Sequence, residues 1–284
     1  MNYHFAEDLR AIREIAGYTQ SEFAKLIHVE QATISRNEQC VTEPSSWLME
    51  RVYSFAFEKS IQINRLKEML WRERIPRDHK LLFHGAKSSI MGSLDVHIGR
   101  KNNDFGQGFY TGETYSQAVS FISGFEGSSV YYLDFDGCNL MKKEYTVDQK
   151  WMLTIAYYRG GLAEYKQHPA VKELAKESRE CDYVVAPIAD NRMFKIIDTF
   201  ISGEITDEQC RHCLAATNLG RQYVFVSDRS LAQLKIVERA YLSNNEKNYY
   251  KEIRKSEFKL GEDKVKLARI QYRGKGKYID EILV

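Results

Sequence analysis

The apolar residues of this chain change their spacing at Pro76. Before it, Leu9, Ile12 and Ala16, and then Phe23, Ala24, Leu26 and Ile27, recur at the three- and four-residue intervals of a helix face. After it come short β-like runs: LLFHG (81–85), GFYTG (108–112), SVYYLDFDG (129–137), DYVVAPIAD (182–190) and RQYVFVSD (221–228). Pro76 disfavours helical backbone at Ile75, inside the charged stretch WRERIPRDHK. Helical patterns intervene at about 114–123, 146–175 and 206–216, without a steady strand–helix–strand alternation. That order predicts an α+β fold rather than a doubly wound sheet. A length of 284 residues accommodates more than one domain. The predicted division is a small all-α domain with a bridging helix over 1–75, an α+β domain over 76–240, and a C-terminal extension over 241–284. The apolar-rich stretch Ser45–Leu70 supplies the bridging helix.

Several function classes are excluded by what the sequence lacks. No apolar stretch approaches the roughly 18–20 residues of a membrane span, and the acidic N-terminus does not read as a secretory signal. Five cysteines, an odd number without framework spacing, suit a reducing cytosol, so a cytoplasmic protein without a membrane partner is expected. There is no GxxxxGK[ST], and no GxGxxG opening a helix after a strand. No GxSxG elbow is present. Cys210 and Cys213 form a single CxxC without a second ligand pair; on a helix they share a face and pack, and no metal is expected.

The N-terminal segment carries punctuated helices. Gly17 is a suitable stop for the first, and Thr19 three residues before Glu22 is a capping-box start for the second. A break at His28-Val29 leads into EQATISRNE. Two short helices joined by a tight turn is the arrangement by which a DNA reader offers one helix to the major groove. The string LRAIREIAGYTQSEFAKLIHVEQATISRNEQC resembles the lambda-repressor/Cro-like helix-turn-helix family over about residues 8–58. The resemblance implies that Gln20 touches phosphate and that Gln31, Ala32, Thr33 and Arg36 face bases. This chain departs from the family at His28 and Cys40, where Gly is common, and at Glu30, where a Ser-like cap is usual. Residues 1–75 hold ten Lys/Arg against eleven Asp/Glu, which supplies little counterion-release affinity. A DNA reader and a helical module that dimerises or docks a partner both fit.

Two stretches of the second segment carry chemistry-bearing residues. His84 stands between an apolar strand and Gly85, a position that suits a satisfied core histidine as well as a functional one. The stretch DFGQGFYTG (104–112) concentrates backbone freedom and aromatic surface in one place. FHGA, then GQGFYTG, then SQAVSF resembles the ADP-ribosyltransferase superfamily in its His-Tyr-Glu branch, which includes diphtheria-toxin-like enzymes and poly(ADP-ribose) polymerases. The spacing from Tyr110 to the second aromatic, Phe121, is eleven residues, as in that branch. The run from LLFHGA through ADNR to RQYVF, about residues 80–235, is most similar to a bacterial group of these domains that carries Gln at the third position. The resemblance implies a split β-sheet domain with helices and NAD as the substrate.

It also implies residue roles. Tyr110 and Phe121 sandwich the cationic nicotinamide, the Gly85 backbone holds its carboxamide, and His84 hydrogen-bonds the adenosine ribose. Arg100 is the nearest cation for the pyrophosphate, with a surface salt bridge as the alternative. Gln222 takes the place of the usual catalytic Glu, with Glu113 or Asp190 as substitute carboxylates. On that basis Gln222→Glu is expected to preserve or raise activity.

The implied function is mono-ADP-ribosylation of an intracellular macromolecule, protein or nucleic acid. The enzyme would be a toxin or anti-phage effector restrained by an antitoxin or similar partner. The alternatives are an NAD-sensing transcriptional regulator with a degenerate transferase domain, and an NAD glycohydrolase. Residues 243–277 hold eleven Lys/Arg against five Asp/Glu, with Tyr249, Tyr250 and Tyr272 interleaved. That tail suits either a solvated helix face or a track for single-stranded nucleic acid.

Overall fold

A computed structural model describes residues 3–177, 179–215 and 219–284. Five helices come first: α1 (Phe5–Ile15), α2 (Gln20–Leu26), α3 (Gln31–Glu38), α4 (Ser46–Glu58) and α5 (Ile63–Arg74). There follow β1 (Lys80–Ala86), β2 (Phe109–Gly112), α6 (Tyr115–Ile122), β3 (Ser129–Phe135), β4 (Lys142–Glu144), α7 (Gln149–Arg159) and α8 (Pro169–Glu177). The remainder is β5 (Tyr183–Pro187), α9 (Asn191–Ile201), α10 (Asp207–Ala215), β6 (Arg221–Phe225), α11 (Asp228–Leu231), β7 (Leu234–Tyr241), α12 (Asn244–Gln271) and α13 (Ile279–Ile282). The fold is α+β. Among the described residues no helix is long and apolar enough to cross a membrane.

The chain forms two compact units, each assembled from separated segments. The first takes residues 1–91, 114–135 and 235–254; the second takes 92–113, 136–234 and 255–284.

In the first unit, Thr19 and Glu22 close the capping box at the start of α2, with Thr19 Oγ1 accepting from the Glu22 backbone N–H at 3.3 Å. Gly17 ends α1 at φ +77°. The apolar stripes of α1 to α4 meet in one core built on Leu9, Ile12, Phe23, Ile34 and Val52. The stretch read as one bridging helix is two, α4 and α5, parted by a left-handed Ser60 (φ +58°). The strands run in the order β1-β3-β7, with β1 and β3 antiparallel and His84 opposite Tyr131. Helix α6 packs on this layer through Tyr115, Ala118, Val119 and Ile122.

In the second unit the strands run β4-β5-β6-β2. β4 is parallel to β5, and β5–β6 and β6–β2 are antiparallel, with Gln222 opposite Gly112 and Ala186. Its core gathers Trp151, Met152 and Ile155 of α7 with Ile197 and Phe200 of α9 and Val184 and Val224 of the strands. The pattern at 146–175 resolves into α7 and α8, because Gly160 takes a left-handed cap at φ +88° and ends the first helix. The helix expected to reach residue 216 is described to Ala215; residues 216–218 lie outside the described residues.

Candidate functional site

The first unit contains His84, Gly85 and Phe121. His84 is half-buried on β1. A Cβ at Gly85 would fall 2.6 Å from the Ala118 carbonyl oxygen and 3.0 Å from Ile122 Cγ2. The close approach of α6 therefore demands glycine there, whatever else the backbone binds. Helix α6 starts at a capping box of Thr114 and Gln117. It presents Phe121 outward at 45% exposure, as Phe125, Tyr249 and Phe258 are also exposed elsewhere in the chain. The Arg254 guanidinium lies 5.5 Å from that ring and donates to the Ser120 carbonyl at 2.9 Å.

The second unit contains Arg100, Tyr110 and Gln222. Tyr110 stands on β2 with its hydroxyl engaged locally: it donates to the Gly106 carbonyl (2.8 Å) and accepts from the Phe105 N–H (3.1 Å). Burial pushes its phenol well above the ordinary range, so the residue offers a ring rather than an acid. The glycines of DFGQG answer to protein packing. Gly106 is left-handed (φ +74°), and a Cβ there would sit 2.7 Å from the Tyr158 ring; one at Gly108 would sit 2.7 Å from the Phe225 carbonyl oxygen. Gln107 ties the same loop to the Gly99 carbonyl at 3.1 Å. Arg100, next in sequence, is exposed.

Gln222 is buried on β6 and belongs to a polar cluster. Its Nε2 donates to Asp104 Oδ2 (2.9 Å) and to the Pro187 carbonyl (3.1 Å). Asp104, buried at the head of the glycine-rich stretch, also accepts from Arg159 Nε (2.9 Å), from a second Arg159 nitrogen and from the Ala189 N–H (3.3 Å). Arg159 reaches on to the Ala189 carbonyl at 2.8 Å and stacks its guanidinium 4.7 Å from the Phe194 ring. Burial pushes the Asp104 carboxyl up, against the opposing pull of Arg159 and of the Gln222, Arg159 and Ala189 hydrogen bonds. The carboxylate beside Gln222 is thus Asp104, which sequence reasoning passed over. Asp190 instead caps α9, accepting from the Arg192 and Met193 N–H groups at 3.0 and 2.9 Å. Glu113 hydrogen-bonds Tyr223.

Gln20, Gln31, Thr33 and Arg36 lie together on α2 and α3, with Gln31 and Arg36 exposed. Gln31 Nε2 donates to Gln20 Oε1 (2.8 Å), and Gln20 Nε2 donates to Glu38 Oε2 (2.8 Å). Glu38 is clamped by Arg13 at 2.6 and 3.2 Å. Burial pushes the Glu38 carboxyl up, but the Arg13 and Gln20 hydrogen bonds and the nearby cations hold it below its usual value. The exposed Glu30 stands at the α3 N-cap without a side-chain capping bond. His28 (φ +54°) and Cys40 (φ +56°) are both left-handed. Cys210 and Cys213 are buried, with their thiols directed at the Ile196 and Val265 carbonyl oxygens (3.7 and 3.6 Å), and burial pushes both thiols up.

Residues 81–236, more than half of the chain, match the family described as "Protein of unknown function (DUF3990)". The chain belongs to the DUF3990 family. No curated protein and no solved structure matches it. The DUF3990 segment spans His84, Gly85, Arg100, Asp104, Tyr110, Phe121, Arg159 and Gln222. Helices α1 to α5 and α12 lie outside it.

Proposed function

We propose that this DUF3990 protein is an NAD-dependent mono-ADP-ribosyltransferase of the split-sheet kind, acting on a macromolecule inside its own cell. The observation that carries the reading is the placement of the motif residues on regular elements. His84 and Gly85 lie near the end of β1, Tyr110 is the second residue of β2, Gln222 is the second residue of β6, and the aromatic eleven residues after Tyr110 is held outward on a capped helix. In the reaction, the bond between nicotinamide N1 and ribose C1′ breaks, and its electron pair leaves with nicotinamide. A nucleophile of the acceptor then bonds to C1′ and gives up its proton. The transition state is oxocarbenium-like, so the site's task is to orient the ribose and hold the acceptor in line. Tyr110 supplies an aromatic face for the cationic ring, and the exposed Arg100 supplies charge for the pyrophosphate.

The test is purified protein with labelled NAD⁺ and cell lysate, treated in parallel with protease and nuclease. Label on a macromolecule is the expected result, and the treatment that removes it gives the acceptor class. His84→Ala and Tyr110→Ala should each lower nicotinamide release by about 100-fold or more in folded protein. Tyr110→Phe, which keeps the ring, should retain more activity than Tyr110→Ala. Free nicotinamide without transferred label would make the protein an NAD glycohydrolase, and intact NAD⁺ with folded protein would exclude both enzymes.

A second reading has its own observation. The chain Arg13–Glu38–Gln20–Gln31 fixes two amides on the outer faces of α2 and α3, as a helix-turn-helix DNA reader requires. With an amide in place of the catalytic carboxylate at Gln222, that reading makes the protein an NAD-sensing regulator. It calls for DNA retention that falls with salt in proportion to the phosphates contacted. In the toxin reading the same helices serve DNA or a neutralising antitoxin.

A further inference from the structure

The Gln222 side chain has only one way to face its neighbours. Its Nε2 sits 2.9 Å from Asp104 Oδ2 and 3.1 Å from the Pro187 carbonyl oxygen. Turned over, the amide would set its own oxygen against a carboxylate and a carbonyl, two acceptors with nothing to donate. Both amide hydrogens are therefore engaged, and no group among the described residues donates to Oε1. Asp104 has no comparable freedom, since Arg159 and the Ala189 N–H fix its carboxylate. An amide held this way presents acceptor character alone, as an ionised carboxylate does.

We propose that Asp104, clamped by Arg159, is a positioning residue that locks the Gln222 amide with its carbonyl oxygen toward the ligand, making it an acceptor for a ribose hydroxyl of NAD. The inference rests on the transferase reading above. It also changes what Glu at position 222 does. A second carboxylate would stand within hydrogen-bond distance of Asp104 and face the Pro187 carbonyl, with Arg159 as the guanidinium bonded to Asp104. Gln222→Glu is therefore a loss, contrary to the expectation from the family motif alone.

The experiment measures kcat and KM for nicotinamide release by the full chain. The substrates are NAD⁺ and an analogue lacking the 2′-hydroxyl of the nicotinamide ribose. Asp104→Asn should lower kcat by about tenfold or more. It should also shrink the preference for NAD⁺ over the analogue, because an asparagine can present either end of its amide and release Gln222. Gln222→Glu should lower kcat at pH 8 and regain part of it on acidification, as the pair takes up a proton. Should Asp104→Asn fail to fold with Arg159 unpaired, Gln222→Glu and Asp104→Asn/Gln222→Glu decide. The double variant, with one acid in the cluster, should exceed Gln222→Glu at pH 8. Wild-type turnover with Gln222→Glu equal to it, or with an unchanged analogue preference in folded Asp104→Asn, overturns this inference alone. A wild-type chain that neither binds nor cleaves NAD⁺ overturns the transferase reading and this inference together.

Discussion

Glu246 shows how far a single buried carboxyl can set the behaviour of its unit. It accepts from the Tyr115 hydroxyl (2.8 Å) and Asn64 Nδ2 (3.0 Å), and the Tyr132 and Tyr250 phenols also feel its charge. Burial pushes it up to about 7 from the usual 4.5. A carboxyl raised on folding binds its proton more tightly in the native state, so its contribution is full below about pH 4.5 and declines as pH rises towards 7. A shift of that size corresponds to on the order of 3 kcal/mol. Wild-type thermal stability should therefore fall between pH 5 and pH 8 by more than that of Glu246→Gln. Parallel melting curves for the two proteins would sink the idea. None of this was legible in NNEKNYY, where Glu246 reads as an exposed first-turn acid. The same holds for Asp104, whose partners Arg159 and Gln222 lie 55 and 118 residues further along the chain. The family resemblance pointed to His84, Tyr110, Phe121 and Gln222 as candidates because the motifs that carry it are short and local. It passed over the long-range cluster around Gln222.

At the level of elements, what could be read was what is decided locally. The Thr19–Glu22 capping box, the Gly17 stop and the runs that became β1, β3, β5 and β6 depend on neighbours a few residues away. Strands β4 and β7 were missed for a physical reason. β4 is the three charged residues Lys142–Glu144, and β7 carries Lys235, Glu238 and Arg239 among its apolar positions. Glu238 is buried because Lys67 Nζ, 171 residues away, lies 3.2 Å from it, with His4 and Trp71 on its other oxygen at 3.0 and 3.4 Å. Helix α9, amphipathic around Met193, Ile196, Ile197 and Phe200, followed a strand run that had absorbed its Asp190 cap. The two positions where this chain departs from a common glycine, His28 and Cys40, are left-handed, a conformation that burdens side chains bearing a Cβ. His28→Gly and Cys40→Gly should each raise stability by roughly 0.5–1 kcal/mol. Calorimetry that shows no gain in either variant would mean the surrounding turns compensate for the strain.

Across the whole molecule, the first unit is built on residues 1–91 and completed by the distant segments 114–135 and 235–254. Asn64 Nδ2 donates to the Tyr241 carbonyl at 2.9 Å and to Glu246, and Lys67 bridges Asp8 (2.5 Å) and Glu238. A fragment ending at residue 75 keeps the core of α1 to α4 but leaves Lys67 and Asn64 without these distant partners. It should melt well below the first unit of the intact chain, or fail to fold. A fragment as stable as the intact chain would show that these buried pairs contribute little. The discontinuity also matters during synthesis. The five leading helices emerge early, yet β7 and the start of α12 follow only after more than a hundred further residues have been translated. At roughly 5–20 residues per second that is a wait on the order of ten seconds. Throughout that interval the nascent chain carries Lys67 and Asn64 without Glu238, Tyr241 or Glu246, and a binding partner that met α5 then would meet a surface the finished protein has covered.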